Sequence, residues 1–338
     1  MRAPVGFAMV LIVAAAGFHA FSPRTAVTPP AIATPVGNMQ LTSVQQTSAG
    51  LVVAGELGHI LLSTDQGQSW QPAQRSVNRQ ALITRLSFAS ADEGLALGHE
   101  GWILRTRDGG RTWTEVNFDA SNGEPLMDAA RLPSGDWLVV GAFGRVLRST
   151  DGGDSWAEEV IDGLTDWHLN TIVSSADAGK WLIVGEAGTL LRSLDGAQSW
   201  EVVEPFYNGS LYGALHLGGS TWVSYGMRGH VFHSEDDGAT WQEARLPAPI
   251  SVYSHALTAD GTLLLVGQGG LVLASTDQGR NFSVNYRIPQ GNLTDIALLP
   301  DGQAVMTSDE GLEIRQLTAS TPAPGSNLNL SKTESGES

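Results

Sequence analysis

The sequence predicts an all-β chain folded as a seven-bladed β-propeller of four-stranded antiparallel blades. Three observations carry that expectation: a short box that recurs six times, the near-constant spacing of its copies, and the same run of strand and turn signals between them. The box reads S/T-x-D-x-G-x-S/T-W. Its copies run from Ser63 to Trp70, Thr106 to Trp113, Ser149 to Trp156, Ser193 to Trp200, Ser234 to Trp241 and Ser275 to Phe282. The box aspartates are Asp65, Asp108, Asp151, Asp195, Asp236 and Asp277, so the steps are 43, 43, 44, 41 and 41 residues. A fixed period of this size marks a solenoid, a propeller or an array.

The interval from Leu126 to Trp156 shows the order of elements inside one repeat. A first strand (Met127 to Leu132) meets a turn at Pro133-Ser134-Gly135-Asp136. A second (Trp137 to Val140) reaches Gly141-Ala142-Phe143-Gly144. A third (Arg145 to Ser149) enters the box, and Trp156 opens a fourth. Four short strands with turn signals between them make one blade. The third strand carries consecutive apolar residues, as in Ile103-Leu104, Val146-Leu147 and Leu190-Leu191. Successive side chains point to opposite faces of a strand, so both faces are expected to be buried, as they are when a blade lies between neighbours.

Six boxes give six blades. A seventh starts at Leu293 with three strands and no box. The missing outer strand is expected from the extended, proline-rich stretch Ala26 to Val36, since prolines are tolerated on an edge strand and closure protects free edges. The propeller is thus placed at residues 25–317. The Ser/Pro/Asn/Glu-rich residues 318–338 read as a disordered tail.

The box residues suit turn chemistry. The aspartate can accept backbone N–H groups of its own turn, the glycine permits positive φ, and the tryptophan packs on the apolar side of the hairpin. No EF-hand spacing accompanies the aspartates, so their expected role is structural, and neither a catalytic residue nor a metal site is assigned.

The 338 residues carry net charge −16, with two lysines (Lys180 and Lys332) against 17 arginines, and contain no cysteine. The acidic surface argues against a nucleic-acid partner. The absence of cysteine removes disulfides and thiolate chemistry. Met1-Arg2 followed by an uncharged apolar run reads as a signal peptide or N-terminal anchor over residues 1–22, with membrane anchoring through residues 4–21 if it is not cleaved. The expectation is a monomer exported to the periplasm, or anchored facing the periplasm or lumen. No cofactor site is visible.

Function is sought where the repeats differ. Among ten tryptophans, five close boxes and Trp137, Trp181 and Trp222 share a second-strand column, which leaves Trp102 and Trp167. Both fall on the face made by the second-to-third-strand turns and the blade linkers, opposite the boxes. The candidate binding face comprises Trp102, Phe143, Arg145, Arg228 and His230 from the turns and Arg75, Arg79, Trp167, Tyr207 and Arg287 from the linkers. Aromatics and arginines are enriched at interface centres. Arg105, Arg148 and Arg192 share a column that either forms a basic arc or pairs with local carboxylates.

The blade count, the box and the Gly-x-x-Gly turn before Arg148-Ser149-Thr150-Asp151-Gly152-Gly153-Asp154-Ser155-Trp156 resemble the photosystem II stability/assembly factor family, the Ycf48/HCF136-like proteins, over about residues 25 to 317. The resemblance implies a non-enzymatic factor that binds a newly made membrane-protein client. That client is photosystem II or, in a non-photosynthetic bacterium, another membrane complex. It also implies an arginine-rich surface patch. The alternative is a sialidase-like glycoside hydrolase, which also uses Asp boxes, or a glycan-binding propeller. The sialidase tripeptide R-I-P occurs as Arg287-Ile288-Pro289 after Tyr286, but it follows the sixth box instead of preceding the first.

Overall fold

Seven sheets follow one another along the chain in this computed structural model, which describes residues 36–121, 123–289 and 291–316; each is an antiparallel meander, and the second gains Gln74–Arg75 paired parallel to Thr112–Asn117. The third repeat gives the plan: Leu126–Arg131, Trp137–Gly141, Val146–Ser149 and Ala157–Glu158 form a meander. The seventh sheet has three strands among the described residues, Leu293–Leu298, Gln303–Ser308 and Gly311–Gln316. The closing strand expected from Ala26 to Val36 lies, but for its last residue, outside the described residues, as do the leader and tail. Val36–Asn38 forms a single turn pressed on the last strand, where a Cβ on Gly311 would stand 2.7 Å from the Gly37 carbonyl. Among the described residues no helix is long and apolar enough to cross a membrane.

The ring closes through its first strands, each beside the first strand of the next blade and the seventh beside the first. Every first strand slips register after its opening residue, from Leu41/Ser43 to Leu293/Asp295. The inserted residue bulges, and in four blades its side chain reaches the neighbouring blade. Thr42 Oγ1 donates to the Ile83 carbonyl at 2.7 Å, Thr84 Oγ1 to that of Leu126, and Asn170 Nδ2 to that of Leu211 at 2.8 Å. Thr294 Oγ1 donates to the Leu41 carbonyl at 2.6 Å, joining blade seven to blade one.

Seven apolar clusters hold the blades, one in each gap. The paired apolar residues of the third strands are buried on both faces as expected. Trp137, Trp181 and Trp222 are fully buried in the gaps, with relative exposures of 0%, 2% and 0%.

The boxes are built alike. Asp65 accepts the Ser69 N–H at 2.9 Å and the Ser69 and Ser63 hydroxyls, and the Ser63 hydroxyl accepts the Gly67 N–H at 2.7 Å. The same bonds recur around Asp108, Asp151, Asp195, Asp236 and Asp277, with Asn281 replacing the second hydroxyl in the last. Trp70, Trp113 and Trp241 donate Nε1 to the box glycine carbonyl at 3.0–3.2 Å. Trp70 and Trp113 are buried, while Trp156, Trp200 and Trp241 stay half-buried. The box therefore owes its shape first to its hydrogen bonds and only second to the indole.

Candidate functional site

The meander places the boxes and first-to-second-strand turns on one face, and the second-to-third-strand turns and blade linkers on the other. On the second face, five turns are single three-residue 3-10 turns whose middle residue is left-handed: Leu57, Phe143, Ala187, Arg228 and Gly269. A large L residue adopts this conformation at a cost, and glycine adopts it freely. Phe143 (φ 54°, ψ 39°) still holds its ring 57% exposed.

Around Phe143 the face forms a groove of about 380 Å³ at the outer part of blade three. Its base is Val146, Ile161 and Leu164. The His168 ring meets Phe143 edge-on at 4.6 Å, and His168 Nδ1 accepts the Phe143 N–H at 2.9 Å. The His168 proton therefore sits on Nε2, which faces Glu186 at 3.8 Å. The Trp167 carbonyl accepts the Gly144 N–H at 2.9 Å, and its indole is 48% exposed. Val160, in the same linker, is 87% exposed. Exposed single apolar residues are ordinary; Phe143 and Val160 line one groove, and Trp167 follows the groove residue Asp166 in the chain.

Carboxylates surround the groove. Glu124, Glu158 and Asp166 line it, and Glu158 is largely exposed. Arg145 lies beneath, its side chain 11% exposed, 3.5 Å from Asp119 and 3.9 Å from Glu158. Its Nε and Nη1 are buried without a hydrogen-bond partner among the described residues. Arg145 thus acts from below as a counter-ion and does not present its fork to solvent.

The other expected face residues separate into fixed and free. Trp102 must be withdrawn from the face: it is 1% exposed, packed in the gap between blades one and two. Its Nε1 donates to Glu115 at 2.8 Å, and Glu115 also holds Arg79 through two bonds of 2.6 and 2.8 Å. Arg79 lies over the Phe118 ring at 3.4 Å, and Arg75 caps the Gly58 carbonyl. These side chains tie the first linker to blade two. Tyr207 and His230 meet at a tilt with ring centres 4.6 Å apart in blade five's corner, with His230 Nδ1 2.7 Å from Glu243. Arg228 is exposed at its turn apex. Arg287 is exposed and donates Nε to the Gly269 carbonyl at 2.9 Å. Val160 was missed because one-residue exposure cannot be read from an apolar letter. Position within the Gly-x-x-Gly turn was the available signal for Phe143.

No basic arc forms from the arginine column. Arg105 donates to Asp154 of the next blade's box at 2.6 Å, Arg148 to Asp136 and Glu159 at 2.9 Å each, and Arg192 to Glu201 at 2.7 Å. On the axis, Arg85 stands 3.7 Å from both Asp128 and Asp295. Burial opposes the Arg85 cation, but Asp295 and Asp128 outweigh it and lift its pKa. Burial pushes Asp128 up in spite of Arg85. Gly213 leaves room for the Tyr225 hydroxyl, which would lie 2.3 Å from a Cβ there and reaches His255 Nδ1 at 2.7 Å. Burial, then Arg85, lowers His255 to about 4.

A glycosidase needs free carboxylates in one pocket. The axial pair is engaged by Arg85. In the hollow of about 840 Å³ on the box face, Asp195 and Asp177 are occupied by their own turns. The Tyr286 hydroxyl donates to Met306 Sδ at 3.1 Å, and Arg315 lies 5.5 Å from its ring centre.

The sequence matches the model of a family described as photosynthesis system II assembly factor YCF48 over residues 26–107, 77–158 and 110–245. No curated protein matches it. Among solved structures, a YCF48 bound to a D1 peptide is similar with TM-score 0.64 and 19% identity, covering 88% of this chain and 97% of that one. YCF48 from Cyanidioschyzon merolae is similar with TM-score 0.64 and 15% identity, covering 82% and 95%. A GH74 xyloglucanase from Xanthomonas campestris reaches TM-score 0.66 at 14% identity, covering 83% of this chain and 52% of that one, a likeness of fold alone.

Proposed function

The chain belongs to the YCF48 family of photosystem II assembly factors, and from that membership we propose that it is an exported, non-enzymatic assembly factor that binds a membrane-protein client through the turn-and-linker face. The observation that carries the reading is that Phe143 and Val160, both exposed, line one groove of that face, with exposed Trp167 following the groove residue Asp166 in the linker. A solved relative holds a D1 peptide, which supports a polypeptide ligand taken from a membrane protein. The client is a photosystem II subunit or, where there is no photosystem, a subunit of another membrane complex. The protein acts as a monomer on the periplasmic or lumenal side, delivered or anchored by residues 1–22.

Occupied chemistry supports a non-enzymatic role: the axial and box carboxylates are each engaged in structural bonds. Binding by such a face needs large rigid side chains at its centre, and Phe143 and Trp167 supply them. The test is recovery of membrane proteins from detergent extracts with tagged full-length protein, comparing the native chain with a Phe143→Asp, Trp167→Ala variant. The client is expected to be recovered with the native chain and lost with the variant. Equal recovery would remove this face from the function.

A further inference from the structure

The proposed client-binding reading leaves open what the groove would recognise, and the next step rests on that reading. Gly269 holds in blade six the turn position that Phe143 holds in blade three, with nearly the same backbone conformation. The turn itself therefore requires no side chain there. Phe143 accepts a left-handed backbone and keeps its ring in water, with the edge contact to His168 as its aromatic neighbour. Val160 adds a second exposed apolar group across the groove, above a base of Ile161 and Leu164. Those residues offer an apolar side chain a place to bury.

The charge of the rim narrows the occupant. Glu124, Glu158 and Asp166 line the opening. The cations nearby are already engaged: Arg145 has Asp119 and Glu158 within 4 Å, and Arg148 holds Asp136 and Glu159. An incoming carboxylate would meet uncompensated negative charge, while an ammonium or guanidinium would be attracted. We propose that this groove docks an extended polypeptide segment that carries a large apolar side chain next to Lys or Arg. The apolar side chain would enter between Phe143 and Val160, and the cation would stay at the rim beside Glu158 and Asp166.

The experiment is calorimetric titration of the full-length protein with three capped heptapeptides. One has the order Gly-Leu-Phe-Lys-Arg-Ser-Gly. The second has Glu-Asp in place of Lys-Arg, and the third has Ser-Ser in place of Leu-Phe. The first is expected to bind at least tenfold more tightly than the other two, and more weakly at high salt. Phe143→Gly is expected to weaken it at least tenfold without lowering the melting temperature, because glycine suits the turn. Val160→Asp should weaken it similarly, and Glu158→Lys with Asp166→Lys should shift preference to the acidic peptide. Equal binding of all three peptides, binding of none, or unchanged affinity in Phe143→Gly would overturn the proposal. If peptide preference fails while Phe143→Asp, Trp167→Ala still loses the client, the face stands and this recognition chemistry falls. If preference holds while client recovery is unchanged, the groove's chemistry stands and its link to the client falls.

Discussion

Replacing Asp295 by Ala should loosen the ring at its seam. The Asp295 carboxylate accepts the Ser43 hydroxyl at 2.9 Å and the Val44 N–H at 3.0 Å from blade one, and the Ser254 hydroxyl at 2.6 Å from blade six. It also stands 3.7 Å from Arg85. Ser43, Val44 and Ser254 are all buried, at 0%, 1% and 3% exposure. A hydrogen bond to a charged group is worth about 1.5–3 kcal/mol net, so three lost bonds set an upper range of about 5–9 kcal/mol. The two hydroxyls can rotate and water can enter the vacated volume, which brings the expected loss to about 3–5 kcal/mol, the usual cost of breaking a buried pair. Unfolding entropy of about 2.1 cal/mol/K per residue then converts that loss to a fall in Tm of about 5–8 °C for a propeller of this size. The assay is thermal unfolding beside Asp162→Ala, an exposed linker aspartate, which should move Tm by no more than about 1 °C. Hydrogen exchange should accelerate first in Leu41–Thr47 and Leu293–Leu298. A shift for Asp295→Ala no larger than that of Asp162→Ala would refute the account of how the ring is held.

Other outcomes follow from the same geometry. Phe143→Gly should raise stability by about 1 kcal/mol, since it relieves a left-handed L residue, and a denaturant midpoint that falls would contradict this. Hydroxyl and backbone donors from Ser69 hold the Asp65 carboxyl down at about 2, and Ser155 and Ser199 hold Asp151 and Asp195 well below the usual carboxylate range. Because these folded pKa values are depressed, their stabilisation is complete above about pH 4 and is lost as pH falls below it. Acid unfolding monitored by tryptophan fluorescence should be less steep in Asp151→Asn. Neutral His255, lowered to about 4, contributes stability above its unfolded pKa near 6.5 that is lost as pH falls toward 4. His255→Gln should flatten the Tm-against-pH curve in that window. Fluorogenic sialosides and xyloglucan oligosaccharides should show no turnover, and turnover abolished by Arg287→Ala would restore the hydrolase reading.

The sequence carried the blades because their signal repeats. The box, the paired apolar residues of the third strand and the second-strand tryptophans each serve one place in every blade, so a period of 41–44 residues exposes them. The binding face was legible only in part. Trp102 and Trp167 looked alike as off-pattern indoles, yet Trp102 is buried in the gap between blades one and two, as the second-strand tryptophans Trp137, Trp181 and Trp222 are in three other gaps. Its burial depends on Glu115 and on the packing between blades one and two, which no local pattern records. Arg79 and Arg145 likewise read as free arginines until Glu115 and Asp119, distant in the chain, came beside them. The axial group was half visible: Arg85, Asp128 and Asp295 sit at matching positions of first strands, but Tyr225 reaches the axis only because Gly213 is small.

The same facts bear on how a propeller of this kind could change clients. The resemblance to the assembly-factor family implies an arginine-rich patch, yet Arg79, Arg105, Arg148 and Arg192 are paired with carboxylates, and the groove around Phe143 is acidic. Recognition by charge can therefore differ between members without touching the ring, because none of the groove's exposed side chains contributes to the gap clusters or the boxes. The apex column makes the point at single-residue scale. Leu57, Phe143, Ala187, Arg228 and Gly269 share one backbone conformation and differ only in what they present. Exchanging such a residue alters the surface chemistry while costing at most the small strain of a left-handed L residue. Exchanging Asp295 or a box aspartate instead breaks several bonds at once. Specificity is thus free to drift at the apices and linkers, and it is there, not in the repeated columns, that differences between the proposed client and the D1 peptide of the solved relative should be encoded.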